Sequence, residues 1–367
     1  MARFSPVTTP GWLRSLSAVW SLALLVALLV VVCSGISGCT EPLKGEADDY
    51  LARISRVTGE AIPLLDDSTV NRLPVYSVRQ SRLALTSSQI TLIDFLRLQS
   101  CQVAQALGHK NSQLGKVAQP GQVMHAERDI LRQLPACIAA LAESQPQLAA
   151  ELQQAWQHKY QQRMAVWWNA WFTDEEWRQY LSGSGRSLEI GGDTPGHLQA
   201  GLTALDKALR QGQRWSDGEF DYDSHEMEQQ LQQLLLAESV GRWLQSVSTL
   251  NGMLRQAAIM LQQTQQQRVL CRDGQEKKQA SYLRNVFQQR YVAVIQPYLA
   301  RTYRFGNEIM PRLQRIAELQ PNSPQYQAWL AEVTALKQNF EQANLAHVKA
   351  WQAWLSECGA MPGQTPG

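Results

Sequence analysis

The spacing of its apolar side chains most constrains what this chain can fold into. Leu148, Leu152, Trp156, Tyr160, Met164 and Trp168 recur every four residues behind Pro146, which lines them along one stripe of a helix. A similar period returns after Asp223, in Leu231, Leu234, Trp243, Leu244, Val247, Leu254 and Leu261. It returns again after Ser323 and Pro324, in Tyr326, Trp329, Val333, Leu336, Phe340, Ala343 and Trp354. No stretch keeps the strict alternation of a half-buried strand. Gln, Leu and Ala dominate, and β-branched residues are sparse. The chain is therefore predicted to be all-α, an elongated antiparallel helical bundle with long C-terminal helices.

Capping residues and breakers divide the pattern. A first helix is expected over 47–57, then irregular chain over 59–87 with Pro63 and Pro74. Ser88 can cap a helix running to about Gly108. A helix over 122–143 contains Pro135, which should kink or break it because proline lacks an N–H and clashes with the Leu131 carbonyl. Thr173 with Glu176 has the spacing of a capping box. Residues 182–196 hold five glycines and a proline, so a two-lobe arrangement divided within 182–223 is the alternative to a single bundle. Helices then follow over 197–211, 223–267, 279–319 and 323–357. Pro297 and Pro311 are expected to kink the third of these, and Ser323 to cap the fourth.

The first forty residues read differently. Ala18 to Cys33 is apolar except for Ser21, after Arg3 and Arg14 and ahead of any acidic residue. That run is slightly long for a signal core of about 7–15 residues and short for a span of about 20. Ile36-Ser37-Gly38-Cys39 decides between them, because it resembles the lipobox of bacterial lipoproteins. Small residues suit a signal peptidase, and the Cys39 thiol would carry the lipid. The plainer account is an uncleaved anchor helix of the same topology. The expected organisation is a signal peptide over 1–38, a lipidated tether over 39–60 and a periplasmic helical domain over 61–367. Thr40, rather than Asp, favours the outer membrane by resemblance to lipoprotein sorting.

Removing two of the 34 basic residues with that signal leaves 32 against 32 acidic ones. A neutral chain is a poor match for nucleic acid, whose binding needs a positive surplus. Four cysteines remain beside Cys33 and Cys39: Cys101, Cys137, Cys271 and Cys358. An even number in an oxidising compartment suggests two disulfides. Of the three pairings, the helical reading selects one. Helices over 279–319 and 323–357 would be about 60 and 52 Å long, and a tight turn brings their far ends, with Cys271 and Cys358, together. Cys101 and Cys137 likewise lie on two successive helices.

Asp94-Phe-Leu-Arg-Leu-Gln-Ser-Cys101, Asn111-Ser-Gln-Leu-Gly-Lys-Val117, Tyr282-Leu-Arg-Asn-Val-Phe287, Ile295-Gln-Pro-Tyr-Leu299 and Ala353-Trp-Leu-Ser-Glu-Cys-Gly359 resemble a family of proteobacterial lipoproteins catalogued only as a domain of unknown function. The resemblance covers roughly 45–359. It implies no activity, and no catalytic or ligand-binding residues come with it.

Four features invite a functional reading. Trp167, Trp168 and Trp171, with Phe172, could stack on a sugar; the plainer account is a helix buried on two sides. Asp217, Glu219, Asp221, Asp223 and Glu228 have the offsets of a calcium loop, but Tyr222 occupies the position that needs glycine. An acidic approach to a helix N-terminus explains them more simply. The loop from Asn111 to Val117 could recognise a partner, with Lys116 as an anion contact, or merely connect two helices. His347, on the apolar seam of the last helix, reads as a core histidine. There is no His-Glu-x-x-His, Gly-x-Ser-x-Gly or phosphate-binding Gly-Lys-Ser/Thr motif, and no cofactor or metal is expected. The expected function is a membrane-anchored, non-enzymatic scaffold or adaptor that binds another envelope protein. The alternatives are a module holding a glycan or lipid on its tryptophans, and a hydrolase without a linear motif.

Overall fold

The computed structural model describes residues 41–65, 73–74, 76–86, 101–191, 196–267, 271–272, 275–276, 278–359 and 361. The apolar run over 18–33, Cys39 and the expected cap at Ser88 lie outside the described residues. Among the described residues no helix is long and apolar enough to cross a membrane.

The fold is all-α. Its longer helices are α1 (Pro42–Thr58), α2 (Val103–Asn111), α3 (Pro120–Leu141), α4 (Pro146–Gln161), α5 (Arg163–Phe172), α6 (Glu175–Ser182), α7 (Gly196–Ser216), α8 (Ser224–Ala237), α9 (Ser239–Gln267), α10 (Lys278–Val286), α11 (Gln296–Leu319) and α12 (Pro324–Glu357). Short helical turns occupy Val78–Ser81 and Gln113–Lys116. β structure among the described residues is a two-rung antiparallel ladder pairing Cys271 with Glu276 and Arg272 with Gln275. Helix α9 is the spine. It is buried on several faces and packs against α12, α1, α6 and α11. A smaller core around Val103, Leu107, Ile130, Leu134 and Leu152 joins α2, α3 and α4.

Prolines open α1, α3, α4 and α12, where the missing N–H costs nothing, and Pro297 sits in the first turn of α11. Two sequence expectations about proline change in instructive ways. Pro135 does not break α3. The Leu131 carbonyl, deprived of its partner four residues on, accepts a hydrogen bond from Trp156 Nε1 of α4 at 3.1 Å, so the helix loses no satisfied acceptor. Ahead of Pro297 the backbone widens into a π-helix over Phe287–Ile295, and the Gln296 N–H bonds to the Tyr291 carbonyl five residues back. The wider turn stands immediately before the proline, where the sequence predicts a kink.

Three boundaries also move. The helix expected over 223–267 is interrupted at Glu238, whose φ of 50° is left-handed. The stripe from Leu148 to Trp168 is divided between α4 and α5 at Gln162. The residues expected to form a tether over 39–60 include α1, which buries Leu43, Tyr50, Leu51 and Ile54 in the main core. Residues from Pro42 onward group into one compact unit. Leu188, in the glycine-rich stretch, is buried. Its N–H bonds Ser246 Oγ at 2.9 Å, and its carbonyl accepts from Tyr298 Oη at 2.9 Å.

Caps are rearranged too. Thr173 is buried, and its hydroxyl donates to the Asn169 carbonyl at 2.8 Å. The Glu175 N–H at the start of α6 is taken instead by Asp174 at 3.0 Å. Ser323 turns its hydroxyl back to the Gln320 carbonyl at 2.8 Å, which tightens the turn before α12. Helix α12 packs chiefly on α9 and less on α11, its predecessor in the chain. Its seam residues Tyr326, Trp329, Val333, Leu336, Phe340 and Ala343 are buried as the periodicity requires.

Both disulfides have the expected pairing. Cys101 is joined to Cys137 with Cα atoms 5.6 Å apart, and Cys271 to Cys358 with Cα atoms 5.2 Å apart.

Candidate functional site

The tryptophans are core, which corrects their reading as an open sugar-binding floor. Trp167 and Trp168 are 0% exposed and Trp171 is 2% exposed. Each indole N–H is used. Trp167 donates to the Ala208 carbonyl at 3.1 Å, Trp168 to the Ser81 carbonyl at 2.8 Å, and Trp171 to Gln211 Oε1. The alternating faces of α5 are buried because α3 and α7 both pack on it. A Cβ at Gly212 would overlap Cζ2 and Cε2 of Trp167, so α7 needs glycine there for the close approach. Gly212→Val is expected to destabilise the fold by about 1–3 kcal/mol or more through overpacking, read as a lowered midpoint in thermal unfolding. An unchanged midpoint would mean that the ring has room to move.

The acidic segment does not assemble a cation site. Asp217 accepts from Gln213 at 3.1 Å, Glu219 from Arg214 at 3.1 Å and Asp221 from Arg132 at 3.1 Å. Glu228 meets His125 at 3.2 Å. Asp223 is the N-cap of α8, accepting from the His225 and Glu226 N–H groups at 2.8 and 3.4 Å. Among the described residues no three His, Cys, Asp or Glu side chains converge as metal ligands. His347 is a core residue. Tyr50 Oη lies 2.8 Å from its Nε2, Trp351 Nε1 lies 3.1 Å from the same atom, and burial lowers its pKa to about 3.

The loop after α2 is built differently. Asn111 is exposed at the helix end. Ser112 Oγ donates to the His109 carbonyl at 2.7 Å and accepts the Gly115 N–H at 3.0 Å. A Cβ at Gly115 would collide with the fixed backbone carbonyls of His109 and Lys110. Lys116 closes the turn, and the Val117 N–H bonds the Leu114 carbonyl at 3.2 Å. On this braced turn Leu114 is 79% exposed and Val117 is 77% exposed.

Two polar assemblies escape the sequence patterns. Glu127, only 5% exposed, receives Lys159 Nζ at 3.0 Å on each carboxylate oxygen and also meets Lys110 Nζ. The Glu238 carboxylate accepts from Gln179 Nε2 at 2.5 Å, Ser184 Oγ at 2.6 Å, Arg186 at 2.5 Å and Arg242 at 3.2 Å. Burial alone would raise its pKa, but these donors hold it at about 2. They also fasten two left-handed residues together, since Ser184 has φ 49°.

One groove lies between α7 and α8, with a volume of about 620 Å³. Lys207, Arg210 and Arg214 line its α7 wall and Asp223 and Glu226 its α8 side, with the nearly buried Trp171 and Met227 beneath. Lys207 pairs with Glu226 at 2.5 Å across it. The spacing of the three basic residues, one helix face at i, i+3 and i+7, is a sequence signal that could have marked this wall. No spacing rule joins Glu127 to Lys159.

These features define a class: a disulfide-stapled, all-α domain with a braced apolar turn and a charged groove. The chain belongs to the protein family of unknown function DUF3080, which it matches over residues 47–362. No curated protein and no solved structure matches it.

Proposed function

We propose that the protein is a non-enzymatic adaptor of the bacterial cell envelope. In this reading it is a lipoprotein held through acyl chains on Cys39, on the periplasmic side and by preference at the outer membrane. The turn carrying Leu114 and Val117 is the observation that carries the adaptor reading. Two aliphatic side chains left in water on a braced backbone lose contact area that a partner protein could restore, at about 25 cal/mol per Å². Because the turn is already ordered, little entropy is lost on binding. The two disulfides support an oxidising compartment, and the Ile36–Cys39 sequence supports the anchor.

The reading is tested by placing a photo-crosslinking amino acid at position 114 or 117 of the full chain in cells. The expected result is the same envelope protein captured from both positions. Capture should disappear with Cys39→Ala, which removes the anchor. Capture of lipid alone, or of no reproducible protein, would overturn the adaptor assignment.

A further inference from the structure

We propose that the groove between α7 and α8 binds a short amphoteric peptide, one carrying both a free carboxylate and an ammonium group. This goes beyond the adaptor reading and rests on other elements. On the α7 wall, Lys207 and Arg214 are already paired, with Glu226 and Glu219. Arg210 between them is exposed and has no ion pair or hydrogen bond among the described residues. It is the uncompensated cation of the groove, and its planar fork suits a carboxylate. Asp223, which lines the same groove, spends one carboxylate oxygen, Oδ1, on the α8 N-terminus. Its second oxygen has no partner among the described residues and is left for an ammonium group. Gln211 gives its carbonyl oxygen to Trp171, which leaves its amide N–H groups unbonded among the described residues. Such an amide matches the carbonyls of a peptide backbone. The volume of about 620 Å³ lies within the range of roughly 300–1,000 Å³ of small-ligand sites. A neutral sugar fits less well. It would leave Arg210 without a counter-charge, and Trp171, 2% exposed, has no ring face to offer.

The test is calorimetric titration of the full chain in detergent with three probes: the tetrapeptide Ala-Lys-Ala-Ala with free termini, its C-terminal amide, and a uronic-acid oligosaccharide. The free-acid peptide is expected to bind. Its amide should bind at least about tenfold more weakly, and Arg210→Gln should impose a loss of similar size for one charge-assisted hydrogen bond. Arg210 is exposed, so the variant should retain the parent's circular dichroism. Absence of binding by the free-acid peptide would overturn the proposal, as would equal binding of acid and amide, full binding by Arg210→Gln, or binding of the oligosaccharide in place of the peptide.

Discussion

Glu127→Ala is expected to lower the free energy of unfolding by about 3–5 kcal/mol, measured as a fall in the urea midpoint at neutral pH. The expectation follows from what stays behind. Lys159 is 8% exposed, and its ammonium group rests on both oxygens of the lost carboxylate. The neighbouring Lys110 shares that carboxylate. Without Glu127 the ammonium group of Lys159 is left buried and unpaired beside a second cation, Lys110, which is partly exposed. Burial would raise the Glu127 pKa, but the two ammonium groups outweigh it and lower it. Its contribution is therefore complete above the ordinary carboxylate range and is lost as pH falls through the folded-state value. Lys159→Met should cost less than Glu127→Ala, because Lys110 still answers the carboxylate and the methionine fills the space. Equal losses would show that the pair acts as a unit without help from Lys110.

Breaking the Cys271–Cys358 bridge is expected to cost about 4–5 kcal/mol, against about 4 kcal/mol for Cys101–Cys137. The difference follows from the lengths of chain closed, with sequence separations of 87 and 36, since the unfolded ensemble gains more freedom when the longer loop opens. Both cysteines of the longer bridge are buried in the main core. The Cys101–Cys137 bridge closes only the smaller core of α2, α3 and α4. Denaturant titration of the Cys358→Ser and Cys137→Ser proteins ranks the two. If Cys137→Ser were the more damaging, the smaller core would be the weaker point of the fold.

The bundle was legible because its information is local. Leu148 to Trp168 and Tyr326 to Ala343 repeat at helical spacing, and prolines stand at helix starts. The pairing of Cys271 with Cys358 was legible too, although by another neighbour than the hairpin supposed: α12 packs chiefly on α9, whose end at Gln267 lies just before Cys271. The break at Glu238 was not legible, since glutamate favours helix. Its left-handed backbone is held by Gln179, Ser184 and Arg186, more than fifty residues earlier in the chain. Pro135 misled for the same reason, because the rescue of the Leu131 carbonyl comes from Trp156 on another helix. The tryptophans of α5 fall on two faces, and sequence does not say whether one face meets water. The structure answers that: Trp167 and Trp171 bond to α7, while Trp168 bonds the Ser81 carbonyl and packs on Tyr326 of α12. The groove needs two helices to exist, and only its basic wall is written within one.

The hydrogen bond between Tyr50 and His347 joins residues 297 apart in sequence, on α1 and α12. Helix α1 is therefore completed by a helix that emerges nearly three hundred residues later. It cannot find its native surroundings until α12 has been made. A chain stopped short of α12 would leave Tyr50 and its neighbours without their shelter.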